Sequence, residues 1–367
     1  MRRRKPLALV SLGAGLMFAA PATAQTVPST TAPPPTATAE ILVDADTGRV
    51  LVEHDAHEAL PPGSLTKTLM AMIAADWLPS AASVPVPIEA YNAFPDKVGM
   101  KPGQRWPLGT TLHALITDSA NDAAYALAVD IGGSLQGFAP VMQEAAGQIG
   151  MTDHPVLQDP AGLDGTEGVN GGNRISAWDL AIAGRDMMAN PTLAAIAGQH
   201  TFDFEGPDGI AYHLVSRNYH FLAGYPGAIG IKTGYTVAAG YCDMEEAVQG
   251  GRKMIAVVLH STNPDADAGS LITQGFATPV ARESHDPQLP AVTEPKPVRF
   301  TPSLKASGAA TPTPTEPTAV VAGAATRPGP DWQEGVALAG VAVGGVMWLR
   351  RMASSPRKRP GGGRNRR

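Results

Sequence analysis

Two proline- and threonine-rich stretches decide where this chain can fold. Thr26–Ala39 is almost entirely Pro, Thr and Ala, and Pro287–Pro330 is similar, with Thr311-Pro312-Thr313-Pro314-Thr315 at its centre. Such segments present no periodic apolar face and cannot bury enough area to offset the ordering of their backbone. A core must therefore be built from what lies between them, Glu40 to about Pro279. This divides the chain into a linker at 25–39, a folded domain at 40–280 and a stalk at 281–330, extended or disordered.

The two ends read as addresses. Arg2-Arg3-Arg4-Lys5 precedes the apolar run Leu7–Ala20 and then Ala22-Thr23-Ala24, the pattern of a secretory signal peptide spanning 1–24. Gly335–Leu349 is apolar without interruption and is followed by Arg350 and Arg351. Taken with Trp332, residues 331–349 form a short candidate transmembrane helix, and the basic tail 350–367 stays cytoplasmic by the positive-inside rule. The expectation is an exported domain held on the outer face of the cell membrane by a single C-terminal anchor. The net charge of −5 conceals these two basic ends, so the body between them is strongly acidic. An acidic body is a poor partner for nucleic acid, whose phosphates need clustered Lys and Arg. One cysteine, Cys242, excludes an internal disulfide framework and a thiolate metal cage. It lies in an apolar strand and reads as a packed thiol.

Within the domain, Ile41–Ala45 and Arg49–Glu53 flank Asp46-Thr47-Gly48, the signature of a hairpin. Lys253–His260 is apolar and β-branched, and Ile229–Thr233 and Ala238–Ala247 are plausible neighbouring strands. Between these sets the chain reads as helical: Ser64–Trp77, Thr111–Thr117, Asn121–Val129, Pro140–Ile149 and Ser176–Ala189. The expected fold is mixed α/β of the α+β type, one antiparallel sheet made from both ends of the domain and carrying a helical insertion. Trp77 and Trp178 are expected in the core, and Glu245-Glu246 at a solvated strand end.

Three short motifs could carry chemistry. Ser64-Leu65-Thr66-Lys67 follows Pro61-Pro62-Gly63, which puts Ser64 at the start of a helix and Lys67 one turn later on the same face. A serine hydroxyl becomes a useful nucleophile when a nearby base takes its proton. Lysine can be that base when burial and a neighbouring cation lower its pKa. Ser119-Ala120-Asn121 falls in a break between two helices, where a hydroxyl and an amide two residues apart can face one cleft. Lys232-Thr233-Gly234 ends a glycine-containing strand along which a substrate chain could lie, with Tyr235 next. Each motif alone has an ordinary structural explanation, such as a helix cap or a surface lysine.

Their conjunction in this order does not. S-x-x-K, S-D-N and K-T-G together mark class A β-lactamases and penicillin-binding proteins, and Ser119-Ala120-Asn121 stands at the second place with Ala for the central Asp. With the flanking Asp118–Ala124, Gly230–Thr236, Asp159-Pro160-Ala161-Gly162-Leu163 and Ser176–Leu180, residues 40–280 resemble the D-alanyl-D-alanine carboxypeptidases, low-molecular-mass penicillin-binding proteins. The resemblance implies a β-lactamase/D,D-peptidase-like fold and removal of the terminal D-alanine from peptidoglycan stem pentapeptides. It implies Ser64 as nucleophile, Lys67 as its base, Ser119 as proton relay to the leaving amine, and Asn121 as holder of peptide and Lys67. Lys232, Thr233, Gly234 and Tyr235 would bind substrate, with the Ser64 and Tyr235 N–H groups forming an oxyanion hole. β-Lactams would acylate Ser64, and no cofactor or metal is required. The family's second, β-rich domain has no counterpart in the sequence, where the stalk and anchor stand instead.

Other readings are weaker. A β-lactamase needs a deacylating Glu with Asn four residues on, whereas Glu167 is followed there by Gly171, and Ala120 replaces the central Asp of the second motif. A zinc D,D-peptidase needs clustered ligands, and His54-Asp55-Ala56-His57 lacks the H-E-x-x-H frame. A D,D-endopeptidase of the same fold, or a wall-binding protein with little catalysis, remains compatible with the motifs. One departure stands out. Relatives carry an Arg for the substrate carboxylate beyond the strand after K-T-G, but no Lys or Arg occurs between Lys253 and Arg282. Counting places Asp267 near that position, which would leave Lys232 and Thr233, helped by Arg217 or Arg252, to recognise the carboxylate.

Overall fold

The computed structural model describes residues 36–280, 286–294 and 296–297. The expected leader, the anchor and most of the stalk lie outside the described residues. Among the described residues no helix is long and apolar enough to cross a membrane.

The chain opens with a hairpin, β1 (Ala39–Asp44) and β2 (Val50–His54), turning through Gly48 at φ +77°. A single 3-10 turn, Gly63–Thr66, leads into α1 (Lys67–Trp77). Helices then dominate: α2 (Ile88–Tyr91), α3 (Leu108–Ile116), α4 (Asn121–Gly132), α5 (Leu135–Ile149), α6 (Ala177–Ala189) and α7 (Pro191–Ala197), with the small ribbon β3 (Ser83–Pro85) and β4 (Arg105–Pro107) among them. A second ribbon, β5 (Thr201–Glu205) with β6 (Ala211–Val215), and α8 (Tyr219–Gly224) return the chain to three long strands, β7 (Ala228–Thr236), β8 (Gly240–Gln249) and β9 (Arg252–Ser261). The last helix is α9 (Pro264–Ala277).

The main sheet has the order β2-β1-β9-β8-β7, antiparallel throughout, and both ends of the domain supply it as expected. The K-T-G strand β7 forms its edge next to the helices. One face packs on α9 and α8 through Leu42, Phe221, Met254, Val258 and Ile272. The other meets the helical insertion, whose central member is α1. Lys67–Ala74 of that helix is buried all round, the mark of a helix enclosed by protein rather than lying at a surface. Local chemistry fixes the helix ends. Ser134, Ser176 and Asn190 accept N–H bonds as N-caps, and Gly133 and Gly150 close α4 and α5 in the left-handed conformation that favours glycine.

Several expectations are corrected. Trp77 and Trp178 are only half-buried at the margin of the core, whereas Trp106 is fully enclosed by the aromatic face of the β5–β6 ribbon. Glu245 and Glu246 are buried, not solvated, because β8 continues to Gln249 between two partner strands. The segment from Asp286 does not start a free stalk. Gln288 bridges Arg49, Leu289 donates its N–H to Gly48 and buries its side chain, and Asp186 accepts the Thr293 N–H. Residues 286–294 are thus a strap over the first hairpin. Cys242 is fully buried beside the Ala239 carbonyl, and burial pushes its thiol up to about 12.

Candidate active site

The three motifs converge on one cleft of about 500 Å³ beside the edge strand. Ser64, Ser119, Thr233, Gly234 and Tyr235 line it. Lys67, Asn121 and Lys232 lie immediately behind, buried.

Lys67 is the hub. Its Nζ lies 2.7 Å from Ser64 Oγ, whose hydroxyl donates to the amine when it is neutral, and itself donates to Asn121 Oδ1 at 2.8 Å and the Ala161 carbonyl at 2.7 Å; the side chain is fully enclosed. Burial, and then the Lys232 ammonium, hold its pKa well below the usual lysine range. A neutral amine in hydrogen-bond contact with a serine hydroxyl is a general base in position. Lys232, also buried, is lowered to about 8 by burial, with Asp243 acting against the shift. Its ammonium donates to the Thr233 carbonyl at 2.7 Å.

Two partners of Lys67 are themselves fixed. Asn121 opens α4, donates Nδ2 to the Phe94 carbonyl at 2.9 Å, and so keeps its oxygen turned to the lysine. The next residue, Asp122, is buried and takes the N–H groups of Val98, Gly99 and Met100, tying the loop before the cleft to the same helix. Ser119 reaches the cleft from a left-handed backbone position, φ +62°, an uncommon conformation for serine that occurs where surroundings demand it.

The Ala161 carbonyl is positioned by a side chain that the sequence places in a family pattern but assigns no role. Asp159, fully buried, accepts the N–H groups of Ala161, Leu163 and Val169 and the Tyr125 hydroxyl, at 2.7–3.0 Å. Asn173 closes the far side of this loop, taking the Asp159 N–H and donating to Thr66 Oγ1. The loop lies so close to the nucleophile turn that a Cβ on Gly162 would stand 1.9 Å from the Gly63 carbonyl oxygen. Gly234 is required for the same reason. A Cβ there would stand 3.0 Å from the Ser64 nitrogen, so only glycine lets β7 lie against the turn that carries Ser64.

The structure separates the candidates for carboxylate recognition. Arg217 lines the cleft, with its guanidinium on Asp118 at 3.1 Å and Asp96 at 3.6 Å. Arg252 does not line it; it bonds Asp44 at the opposite end of β9. Asp267 also turns away. Its carboxylate accepts Thr36 N–H and hydroxyl and the Ser261 hydroxyl, because α9 begins at Pro264 and rotates residue 267 inward. Asp265 and Asp243 line the cleft instead. His57 stacks on Trp178 and bonds Asp153, while His54 faces Asp55. Glu167 is exposed and outside the cleft lining.

The family model described as D-alanyl-D-alanine carboxypeptidase (peptidase S11) matches residues 26–263. The chain belongs to this family. It is 33% identical over 243 residues to the D-alanyl-D-alanine carboxypeptidase DacB2 of Mycobacterium tuberculosis, covering 65% of this chain and 81% of the relative. Among solved structures, a D-alanyl-D-alanine carboxypeptidase from M. tuberculosis H37Rv superposes with TM-score 0.63 at 32% identity, over 69% of this chain and 96% of the other. Penicillin-binding protein D2 of Listeria monocytogenes, in its ampicillin-bound form, gives 0.56 at 25% identity over 66% and 97%. Of several other curated carboxypeptidases the chain spans about three fifths of the length. As a member of the carboxypeptidase family with the penicillin-binding fold, the chain is a serine-type peptidase, and its resemblance to that fold holds in sequence and in structure.

Proposed function

We propose that this family member removes the terminal D-alanine from peptidoglycan stem pentapeptides through an acyl-enzyme on Ser64. The observation that carries the reading is Lys67 Nζ, fully enclosed and 2.7 Å from Ser64 Oγ, next to a second buried lysine. Neutral Lys67 takes the hydroxyl proton as Ser64 Oγ attacks the carbonyl between the two D-alanines. The developing oxyanion is received by the N–H groups of Ser64 and Tyr235, whose segments touch at the Gly63–Gly234 seam. As the tetrahedral intermediate collapses, the proton passes through Ser119 to the departing amine of D-alanine. Water then cleaves the ester, with Lys67 again as base. Asn121 holds the stem peptide and Lys67, and Thr233 with Arg217 binds the terminal carboxylate. A β-lactam follows the same first step, its ring amide standing in for the peptide bond, and no described carboxylate lies in contact with Lys67 or Ser64 to hasten deacylation. We place the domain on the outer face of the cell membrane, held by residues 331–349. The sequence patterns at the two ends support that placement.

The test is release of free D-alanine from a pentapeptide by the wild type and by Ser64→Ala. The reading requires release by the first and none by the second. Release that survives the substitution contradicts it. For the topology, protease added to intact protoplasts should remove the domain and spare a C-terminal tag; digestion of the tag would contradict the anchor.

A further inference from the structure

The cleft continues past Thr233 to a wall of opposite character. Asp243 stands across the sheet from Thr233, Glu245 follows two residues later on the same face of β8, and Asp265 lies in the first turn of α9. One carboxylate oxygen from each lies within 4.8 Å of the others. Asp243 and Glu245 are 4% and 0% exposed, and Asp265 and Asp243 open onto the cleft. Three carboxylates this close repel one another unless protons or a cation sit among them.

The residue beside them points to a cation. Asn218, 4% exposed, donates Nδ2 to Glu245 Oε2 at 2.6 Å. That bond holds the Asn218 amide beside Glu245 and leaves its Oδ1 a buried carbonyl oxygen with no hydrogen-bond partner among the described residues. Glu245 Oε1 is in the same condition. Two adjacent buried acceptors lacking any donor are costly. A hard cation satisfies both, since it binds oxygen ligands and asks for no donor. Lys232 does not fill this role. It pairs in register with Met244, on the alternate face of the strand, and its ammonium bonds the Thr233 carbonyl.

We propose that Asp243, Glu245, Asp265 and the Asn218 side-chain oxygen bind a calcium-like divalent cation on the leaving-group wall of the cleft, and that this cation joins Thr233 and Arg217 in receiving the carboxylate of the terminal D-alanine. Four protein oxygens are short of the six to eight such an ion takes. Water and the substrate carboxylate complete the shell from the open side. The bound ion gives this wall a positive charge where the sequence offers no Lys or Arg between Lys253 and Arg282. This substrate role rests on the carboxypeptidase reading; the cation site does not.

The test uses the full purified chain stripped with a chelator. Tb³⁺ added alone should give saturable emission sensitised by Tyr235 and Tyr241, whose rings line the same cleft, and Ca²⁺ should displace it. Asp265→Asn, at an exposed position, and Asp243→Asn should each weaken the affinity at least tenfold. Emission that does not saturate, or that keeps its affinity in Asp265→Asn, overturns the site. With Ca²⁺ and then with chelator, KM is measured for a D-Ala-D-Ala peptide and for its C-terminal amide. Chelation should raise KM for the free acid about tenfold and leave the amide unchanged. Saturable Tb³⁺ binding with KM for the acid indifferent to chelation overturns the substrate role. Saturable binding in a protein that cleaves neither peptide supports the cation site and contradicts the carboxypeptidase reading.

Discussion

At the scale of single residues, the site depends on contacts too close to tolerate an added atom. Gly234→Ala places a methyl group 3.0 Å from both the Ser64 nitrogen and the Pro62 oxygen, which are backbone atoms that cannot swing aside. Penicillin acylation should fall at least tenfold, about 1.4 kcal/mol of barrier, with little change in melting temperature; an unchanged rate would show that the seam is slack. Asp159 makes a contrasting case. Asp159→Ala strands the N–H groups of Ala161, Leu163 and Val169, each worth about 1–3 kcal/mol when buried. A loss of roughly 3 kcal/mol or more is expected, and acylation should fall with it as the Ala161 carbonyl leaves Lys67. Chemistry carried by side chains was legible in the sequence: Ser64, Lys67, Ser119, Asn121 and Lys232 meet where the motifs imply. Chemistry carried by the backbone was not, because the Ala161 carbonyl has no signature beyond the acid that folds its loop.

At the scale of elements, the sheet edges and most helices follow from periodicity, while the exceptions have local causes. Asn263-Pro264 with Asp265 and Asp267 is a helix start, proline at the first position and acids in the first turn. Read as such, it would have turned Asp267 inward and brought Asp265 to the cleft; counting along an assumed loop could not. The strap was hidden by its composition, since Leu289 and the backbone bonds of Val50 and Leu289 do not depend on a long apolar pattern. Leu289→Ala should cost about 2–3 kcal/mol of stability in a denaturant melt while leaving acylation unchanged. A cost under about 0.5 kcal/mol, within the range of surface substitutions, would mean that the strap contributes little.

At the scale of the whole molecule, the acidic body has buried much of its charge. Burial raises Asp243 to about 8 and Asp186 and Glu246 to about 7. The folded state then holds protons that the unfolded state releases near pH 4, so stability declines as pH rises through 7 and 8. The melting temperature, measured with chelator present, should therefore rise as pH falls from 8 to about 6.5, with Lys67, and Lys232 near pH 8, acting in the opposite sense. Below that, His113, lowered to about 4 by burial, offsets part of this gain, because the unfolded histidine gains a proton that the folded one refuses. A melting temperature that rises steadily from pH 6.5 to 8 would show that these acids are ionised in the fold.

The most direct measurement of the central claim is intact mass after exposure to penicillin. Wild type should gain a single penicillin mass that persists for minutes, Ser64→Ala should gain none, and Lys67→Ala should gain it at under a tenth of the wild-type rate, a barrier at least about 1.4 kcal/mol higher. An adduct on Ser64→Ala, or undiminished acylation of Lys67→Ala, would contradict an acyl-enzyme formed by Ser64 with the buried lysine as its base.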